Sequence, residues 1–515
     1  MIQTVDNVAL LPAYLAAGTA VLVLLADLVV GRRGASVAAL AIGAVATALG
    51  AALVGAGGDR RTFCTGETCS YLATDRAALV GVLFALLTLG VLALSAPLLR
   101  AAEVPPGEYA FLLACSMTGG VVLGAAGDLI TLVVAVETLT LPLYVLVGLR
   151  RRSVAGAEAA VTFFVVSVVA TAVTLLGAAL LYAVTGVVHL AALGAVFGAD
   201  DTLRDLPLGV AGVALVLLGL AFKVAAVPFH AWAPATYDGA PVPVAAYLST
   251  ASKLGGVVAL LAVTEVALPA EVTGPVLAVV AVATMTVGNL VALRQRRMVR
   301  LLAWSSVAQA GYILAPLGAL ALSAGRTPAA LATAVAAAVA FLAFFVVLEL
   351  AAFGAVVALR PAAADGGAIE DYRGTARRRP WVGAAFVLAL VGLAGLPPGL
   401  AGLFAKITIV RSLLAGEAGW LAVVVALNAV VGLAYYLRVA ATLYAAEPAA
   451  TRAGTAAAAP VLDTGPGAPA LPPVPEVTGP EPLRPAWAVL AALAGATAVA
   501  VVVGFAPQLV LDLAA

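Results

Sequence analysis

The sequence predicts an all-α polytopic membrane protein with about fourteen transmembrane helices. Three observations carry this. The 515 residues are 64% hydrophobic and 10% charged, with mean hydropathy +1.13. Soluble domains carry about 25% charged residues, so lipid is the solvent that fits this chain. The apolar residues also fall into runs of roughly 20, the length that crosses a bilayer. Finally, two runs are interrupted by proline close to a lysine, a pattern of broken helices in transport proteins.

In chain order the runs cover 8–30, 35–57, 77–99, 110–127, 129–149, 158–182, 207–231, 241–264, 274–293, 300–322, 328–358, 380–412, 417–445 and 485–508. The first follows MIQTVDN without a positive segment, so it reads as a span and not as a removable signal. The boundary near Asp128 is the least marked. Residues 446–486 hold ten of the 29 prolines and few large apolar residues, and read as an extended cytoplasmic linker. The organisation is thus thirteen spans over 1–445, the linker, and a last span with the C-terminus over 487–515.

Arginines in the loops set the orientation. With the N-terminus outside, 17 arginines fall on cytoplasmic connections, among them Arg150, Arg297, Arg360 and Arg377, and six on outer ones. The chain is therefore expected to be N-out and C-out. Cys64 and Cys69, in RRTFCTGETCS, then face the oxidising side. No His stands near them, so they read as a disulfide and not as a metal site. A net charge of +1 offers no basic surface for nucleic acid.

Four of the 27 basic residues lie inside predicted spans away from their ends: Lys223, Lys253, Lys406 and Arg438. They include every lysine in the chain. Arg stays charged, whereas a desolvated Lys can release its proton. An ionisable group at mid-membrane costs roughly 2.5–3.5 kcal/mol on insertion scales, so three lysines demand partners, water or a role in transport. Static salt bridges that order the bundle are the plainer alternative. Glu137, in DLITLVVAVETLTLPLYVLVGL, is the natural partner for Lys223, with Thr131, Thr138 and Thr140 nearby. Glu349, in VVLELAAFG, is a second intramembrane carboxylate and equally readable as a structural partner of a nearby cation.

The seventh run has Lys223, then Pro228 and His230; the twelfth reads VGLAGLPPGLAGLFAKITIV, with Pro397 and Pro398 before Lys406. Proline removes a backbone donor, and the freed carbonyls survive in lipid only where protein or water satisfies them. An interval of five spans between two such breaks suggests inverted repeats, spans 4–8 (about 110–264) and 9–13 (about 274–445), with a midplane ion path. Lys253 would then correspond to Arg438. Under this topology a path from cytoplasm to exterior runs through His230 or Lys253, then Lys223, then Lys406. His230 titrates near neutrality and suits a relay, though a helix-end role fits as well. His189, in an outer loop, is expected to be solvated. The sequence has no Walker loop, CxxC pair or haem motif.

GLAFKVAAVPFHAWAPATYDGAPVPVAAYLSTASK strongly resembles subunit N of bacterial NADH-quinone oxidoreductase (respiratory complex I). RLLAWSSVAQAGYIL, GLPPGLAGLFAKITIV, AYYLRVAATLY and DLITLVVAVETLTLPLYVLVGL match it too. The likeness covers essentially the whole chain and is weak only in 1–100 and 446–486. YDGAP and the lysine in span 12 favour subunit N over subunit M. The lack of a long lateral C-terminal helix argues against subunit L.

The resemblance implies an antiporter-like proton pump in the bacterial plasma membrane, packed against other membrane subunits of complex I and lipids. It implies no cofactor in this chain, with FMN, Fe–S clusters and quinone held in or at partner subunits. It carries over Glu137 and Lys223 as a coupled pair, Lys253 as central relay and Lys406 as exit-side site. Two positions depart from the pattern: Thr162 stands where relatives often have Lys, and Gln309 where some have His. The sequence thus predicts a subunit that couples NADH:quinone electron transfer to proton pumping through buried Glu and Lys residues. A cation/proton antiporter subunit and a non-conducting scaffold are the alternatives.

Overall fold

The computed structural model describes residues 5–150, 153–200, 202–361, 364–446 and 486–514. Nearly all of the expected 446–486 linker lies outside the described residues. Among those described, eleven helices are long and apolar enough to cross a membrane: Leu11–Val30, Gly34–Ala56, Asp75–Leu94, Pro106–Gly124, Leu129–Gly148, Val154–Thr185, Val242–Ala267, Ala270–Ala292, Pro328–Leu359, Gly419–Tyr444 and Trp487–Phe505.

The other three expected runs do not stay single α-helices. The seventh is an α-helix over Pro207–Lys223, a break, and a short helix Trp232–Gly239. The tenth is Met298–Leu314 continued by a 3-10 stretch, Ala315–Ala321, that contains Pro316. The twelfth is split into Pro380–Ala394 and Leu400–Ala415. Each interruption coincides with a proline that cannot donate to the preceding turn.

Asp128 marks a sharp boundary. Its carboxylate accepts from Thr131 N (2.7 Å) and Thr131 Oγ1 (2.9 Å), capping the helix that begins at Leu129. Thr131 is thereby held at the helix end, away from Glu137.

Three departures from the sequence reading stand out. Residues 60–73, read as loop, form an antiparallel hairpin, Arg60–Thr65 with Thr68–Ala73, in which Cys64 pairs with Cys69 and the two are joined as a disulfide. His189 is only partly exposed: its backbone pairs with that of Asp128 at the entry to a short helix, Leu190–Ala199, and its Nε2 is buried without a hydrogen-bond partner among the described residues. Arg438, counted among the intramembrane cations, is exposed. Its guanidinium caps the carbonyls of Leu293 (2.7 Å) and Gln295 (2.8 Å), which the end of helix Ala270–Ala292 leaves free.

Candidate functional site: three polar clusters in the helix bundle

The two breaks share one backbone pattern, 170 residues apart. At the first, Ala225 N donates to Phe222 O (2.9 Å), Ala226 N to Ala221 O (2.9 Å) and Phe229 N to Ala226 O (2.7 Å). At the second, Gly395 N donates to Gly392 O (2.8 Å), Leu396 N to Val391 O (3.1 Å) and Gly399 N to Leu396 O (2.8 Å). The first two bonds in each set are those of a Schellman cap, which ends a helix through a left-handed residue. That residue is Ala225 (φ 58°) in one break and Gly395 (φ 81°) in the other; Pro228 and Pro398 follow three positions on, each after a cis bond. The break leaves Lys223 on the last turn of its helix. It sets the carbonyl of Ala394 free to face the opposite half-helix.

The first cluster surrounds Lys223, which is 5% exposed. Its Nζ donates to Glu137 Oε1 (2.7 Å), Ser167 Oγ (2.9 Å) and Thr140 Oγ1 (3.2 Å). Thr171 Oγ1 also donates to Glu137 Oε1 (2.6 Å), and Tyr144 donates to Ser167 (2.5 Å). Glu137 is the outer member of the pair, its side chain 19% exposed. Removing either ion alone strands the other in an apolar bundle, so the two are mutually dependent.

The second cluster surrounds Lys253 and Glu349, both fully enclosed. Lys253 Nζ donates to the carbonyl of Ser306. The Ser249 hydroxyl lies 3.0 Å from Ser306 Oγ and donates to Glu349 Oε1 (2.7 Å). Glu349 Oε2 has no partner among the described residues. Lysine and carboxylate are thus joined through two serines. The bond register of the helix helps to bring Ser249 round: Leu248–Ser252 is a π-turn, of the kind that often marks functional sites.

The third cluster lies at the second break. Lys406 Nζ donates to Ala394 O (2.5 Å) and sits 4.9 Å from the centre of the Tyr312 ring. Gln309 Nε2 donates to Leu393 O (3.0 Å) and Tyr436 Oη (3.1 Å), and Tyr436 pairs with Ser305. A cavity of about 10 Å³ lies beside Lys406, Gln309 and Leu393, the size that holds one water. Ser305 and Ser306 are consecutive, as are Leu393 and Ala394. Polar groups therefore run from Glu349 and Lys253 to Lys406 with only backbone steps between them.

Glu137 and Lys223 are brought together, and so are Lys253 and Glu349 through serine. Lys253 neighbours the Lys406 cluster, whereas the sequence reading had placed Lys223 there. Lys223 instead meets the Lys253 helix through its backbone: a Cβ on Gly256 would stand 2.9 Å from the Lys223 carbonyl carbon. No side-chain hydrogen bond joins the two lysine clusters among the described residues. His230 joins neither. Its ring lies 5.1 Å from that of Trp304, and its Nδ1 is buried without a well-formed hydrogen bond among the described residues. Thr138 turns back to Val134 O. The sequence reading missed Ser167 and Thr171, which approach the Glu137–Lys223 pair from the helix that carries Thr162, and also Ser249, Ser306 and Tyr436. Ser167, Thr171 and Thr174 recur at helical spacing in an otherwise apolar run, which was the one signal available.

At the loop end of the bundle nearest Arg297, its guanidinium binds both carboxylate oxygens of Asp238 (2.7 and 3.0 Å) and reaches Asp365 (2.9 Å). Arg360 pairs with Asp371 (3.0 Å). Hydrogen bonding to Arg297 holds the Asp365 carboxyl below its ordinary range. This ties the YDGAP turn to two other loops.

A fold of broken, apolar helices around buried lysines and carboxylates is that of an antiporter-like membrane subunit. The chain belongs to the NADH:quinone oxidoreductase/Mrp antiporter transmembrane family, whose model matches residues 126–432. Within that family it is 70% identical, over all of its length and 99% of the relative's, to NADH-quinone oxidoreductase subunit N of Salinispora tropica. It is 44% identical to a subunit N of Streptomyces griseus, over 90% of this chain and 88% of that one. Respiratory complex I from Thermus thermophilus, solved with bound aureothin, contains a chain 28% identical to it. That chain superposes with a TM-score of 0.76, covering 97% of this chain and 98% of the other. A chain of the Mrp complex from a Dietzia species is 25% identical, also with a TM-score of 0.76, over 99% of this chain and 96% of that one. The chain is thus of the subunit N type, a proton-translocating, antiporter-like subunit of an NADH-quinone oxidoreductase, with many passes through the membrane.

Proposed function

We propose that the protons move through the three clusters: Glu137 and Lys223 as the coupled pair, Lys253 with Glu349 as central relay, and Lys406 at the exit side. The observation that carries this reading is the run of polar groups from Glu349 through Ser249, Ser306, Ser305, Tyr436 and Gln309 to the carbonyls that face Lys406. A displaced Glu137 carboxylate removes the reason for Lys223 to keep its proton, and electrostatics then drive exchange along the chain. His230 stands outside the clusters, half-buried with its ring 5.1 Å from that of Trp304, and serves in this reading as an entry residue toward the central relay.

The matching caps at Ala225 and Gly395 support two inverted repeats over about 110–264 and 274–445, each with one broken helix. In this reading the chain lies in the bacterial plasma membrane with both termini outside. The β-hairpin is on the outer face and the Arg297 loops are in the cytoplasm. Its partners are the other membrane subunits of the complex. The electron chemistry, with FMN, Fe–S clusters and quinone, resides in those partners, and this chain holds no cofactor.

The test is Lys223→Met in the assembled complex, with NADH oxidation and proton pumping measured separately. Impaired pumping with normal assembly is expected. Pumping at the wild-type ratio of protons to electrons would sink the reading and leave a structural role for the buried charges.

A further inference from the structure

A cavity of about 420 Å³ belongs to none of the three clusters. It lies at the end of the bundle that carries the β-hairpin. Its depth is apolar: Leu79 and Leu83 from one helix, Val258 and Leu261 from the helix of Lys253, and Leu342 from a third. Its rim is charged in both signs, with Arg60, Arg61 and Arg76 against Asp59, Glu67 and Glu265. Arg76 is already paired with Glu265 (2.5 Å) and Arg60 with Asp6 (3.2 Å). Arg61, Asp59 and Glu67 have no ion pair among the described residues. His189 also lines the cavity, and its buried Nε2 has no hydrogen bond among the described residues.

The size falls in the range of small-molecule sites, roughly 300–1,000 Å³. Water alone is a poor occupant of the depth, because a buried water needs two to four polar partners and these walls supply few. The order of polarity, charged at the mouth and apolar below, is that of a lipid. The balanced signs at the mouth match a headgroup that carries both a phosphate and an ammonium. A purely anionic headgroup would meet as many carboxylates as guanidinium groups.

We propose that this cavity holds one zwitterionic phospholipid of the phosphatidylethanolamine type. One acyl chain lies between the three helices. The phosphate meets Arg61 and His189, and the ammonium meets Asp59 and Glu67. The acyl chain rests on Leu254 and Val258, immediately beyond Lys253 on the same helix, so its occupancy sets how tightly that helix is packed.

The test uses the whole purified complex reconstituted with a phosphatidylethanolamine that carries a diazirine at its acyl end. Adducts are expected on the peptides containing Leu83 and Val258. Val258→Trp, which fills the depth, should cut labelling by about tenfold, and Arg61→Gln should cut it less. Competition by unlabelled phosphatidylethanolamine in the wild-type complex gives the same readout if the Trp variant does not assemble. Adducts absent from these peptides, or labelling that neither substitution nor competition reduces, overturn the proposal. Equal labelling by a phosphatidylglycerol or free fatty-acid probe overturns the zwitterionic assignment.

Discussion

Lys223 Nζ stands 2.7 Å from Glu137 Oε1, the ammonium sealed in the bundle and the carboxylate partly open on its flank. Breaking a buried pair from one side costs about 3–5 kcal/mol, while replacing both ions is close to neutral. Glu137→Gln and Lys223→Met are therefore expected to lower the thermal stability of the assembled complex singly, and the double variant to recover most of it. All three should pump poorly. Additive losses in the melting curves would show that the two side chains do not depend on each other.

Ser249 links Glu349 to Ser306, and through it to Lys253. Ser249→Ala leaves Glu349 without its only hydrogen-bond donor among the described residues, a desolvation cost of about 1–3 kcal/mol. Pumping should fall while NADH oxidation by the uncoupled complex is maintained. Ser249→Thr, which keeps the hydroxyl, should restore it; failure of that rescue would point to packing and not to the hydroxyl.

The two caps make opposite predictions. Ala225 holds a left-handed conformation that glycine adopts without penalty, so Ala225→Gly should be neutral or stabilising by about 1 kcal/mol. Gly395→Ala should destabilise by about 1–2 kcal/mol from backbone strain alone. Its new Cβ would also stand 2.5 Å from Lys406 Cδ, so pumping should suffer beyond the loss of stability. Melting temperature and pumping ratio measured on both variants check the pair.

Arg297 clamps Asp238 and Asp365. The Asp365 carboxyl is held below its ordinary value by the hydrogen bond from Arg297. A depressed carboxylate contributes fully above its unfolded pKa of about 3.9 and loses that contribution as pH falls through the lower folded value. The clamp should thus be indifferent to pH between about 6 and 8. Arg297→Ala should cost about 1 kcal/mol, mostly through Asp238, whose side chain is 15% exposed against 51% for Asp365. Asp365→Asn should change little. A pH-dependent melting shift in the wild type that Asp365→Asn removes within that range would contradict this.

Much of the site was legible because lipid penalises charge. Lys223, Lys253, Lys406, Glu137 and Glu349 were conspicuous in apolar runs, and Pro228 and Pro398 marked the breaks. Ser249, Ser306 and Tyr436 were not, since hydroxyls are common in spans and most fold back onto a carbonyl four residues earlier, as Thr138 does. The hairpin was hidden too: RRTFCTGETCSYLA alternates weakly, and its pairing needs the bundle behind it.

What the sequence determined by itself is the class of fold, the number of apolar runs and the residues whose burial needs an explanation. These follow from transfer free energies, which depend on composition and order along the chain. Which lysine neighbours which carboxylate was decided only by the tertiary structure. Packing distances between helices far apart in sequence set those contacts. Two Schellman caps of a few residues each place Lys223 at the end of one helix and open the Ala394 carbonyl to Lys406, and nothing local in the sequence specifies that relation.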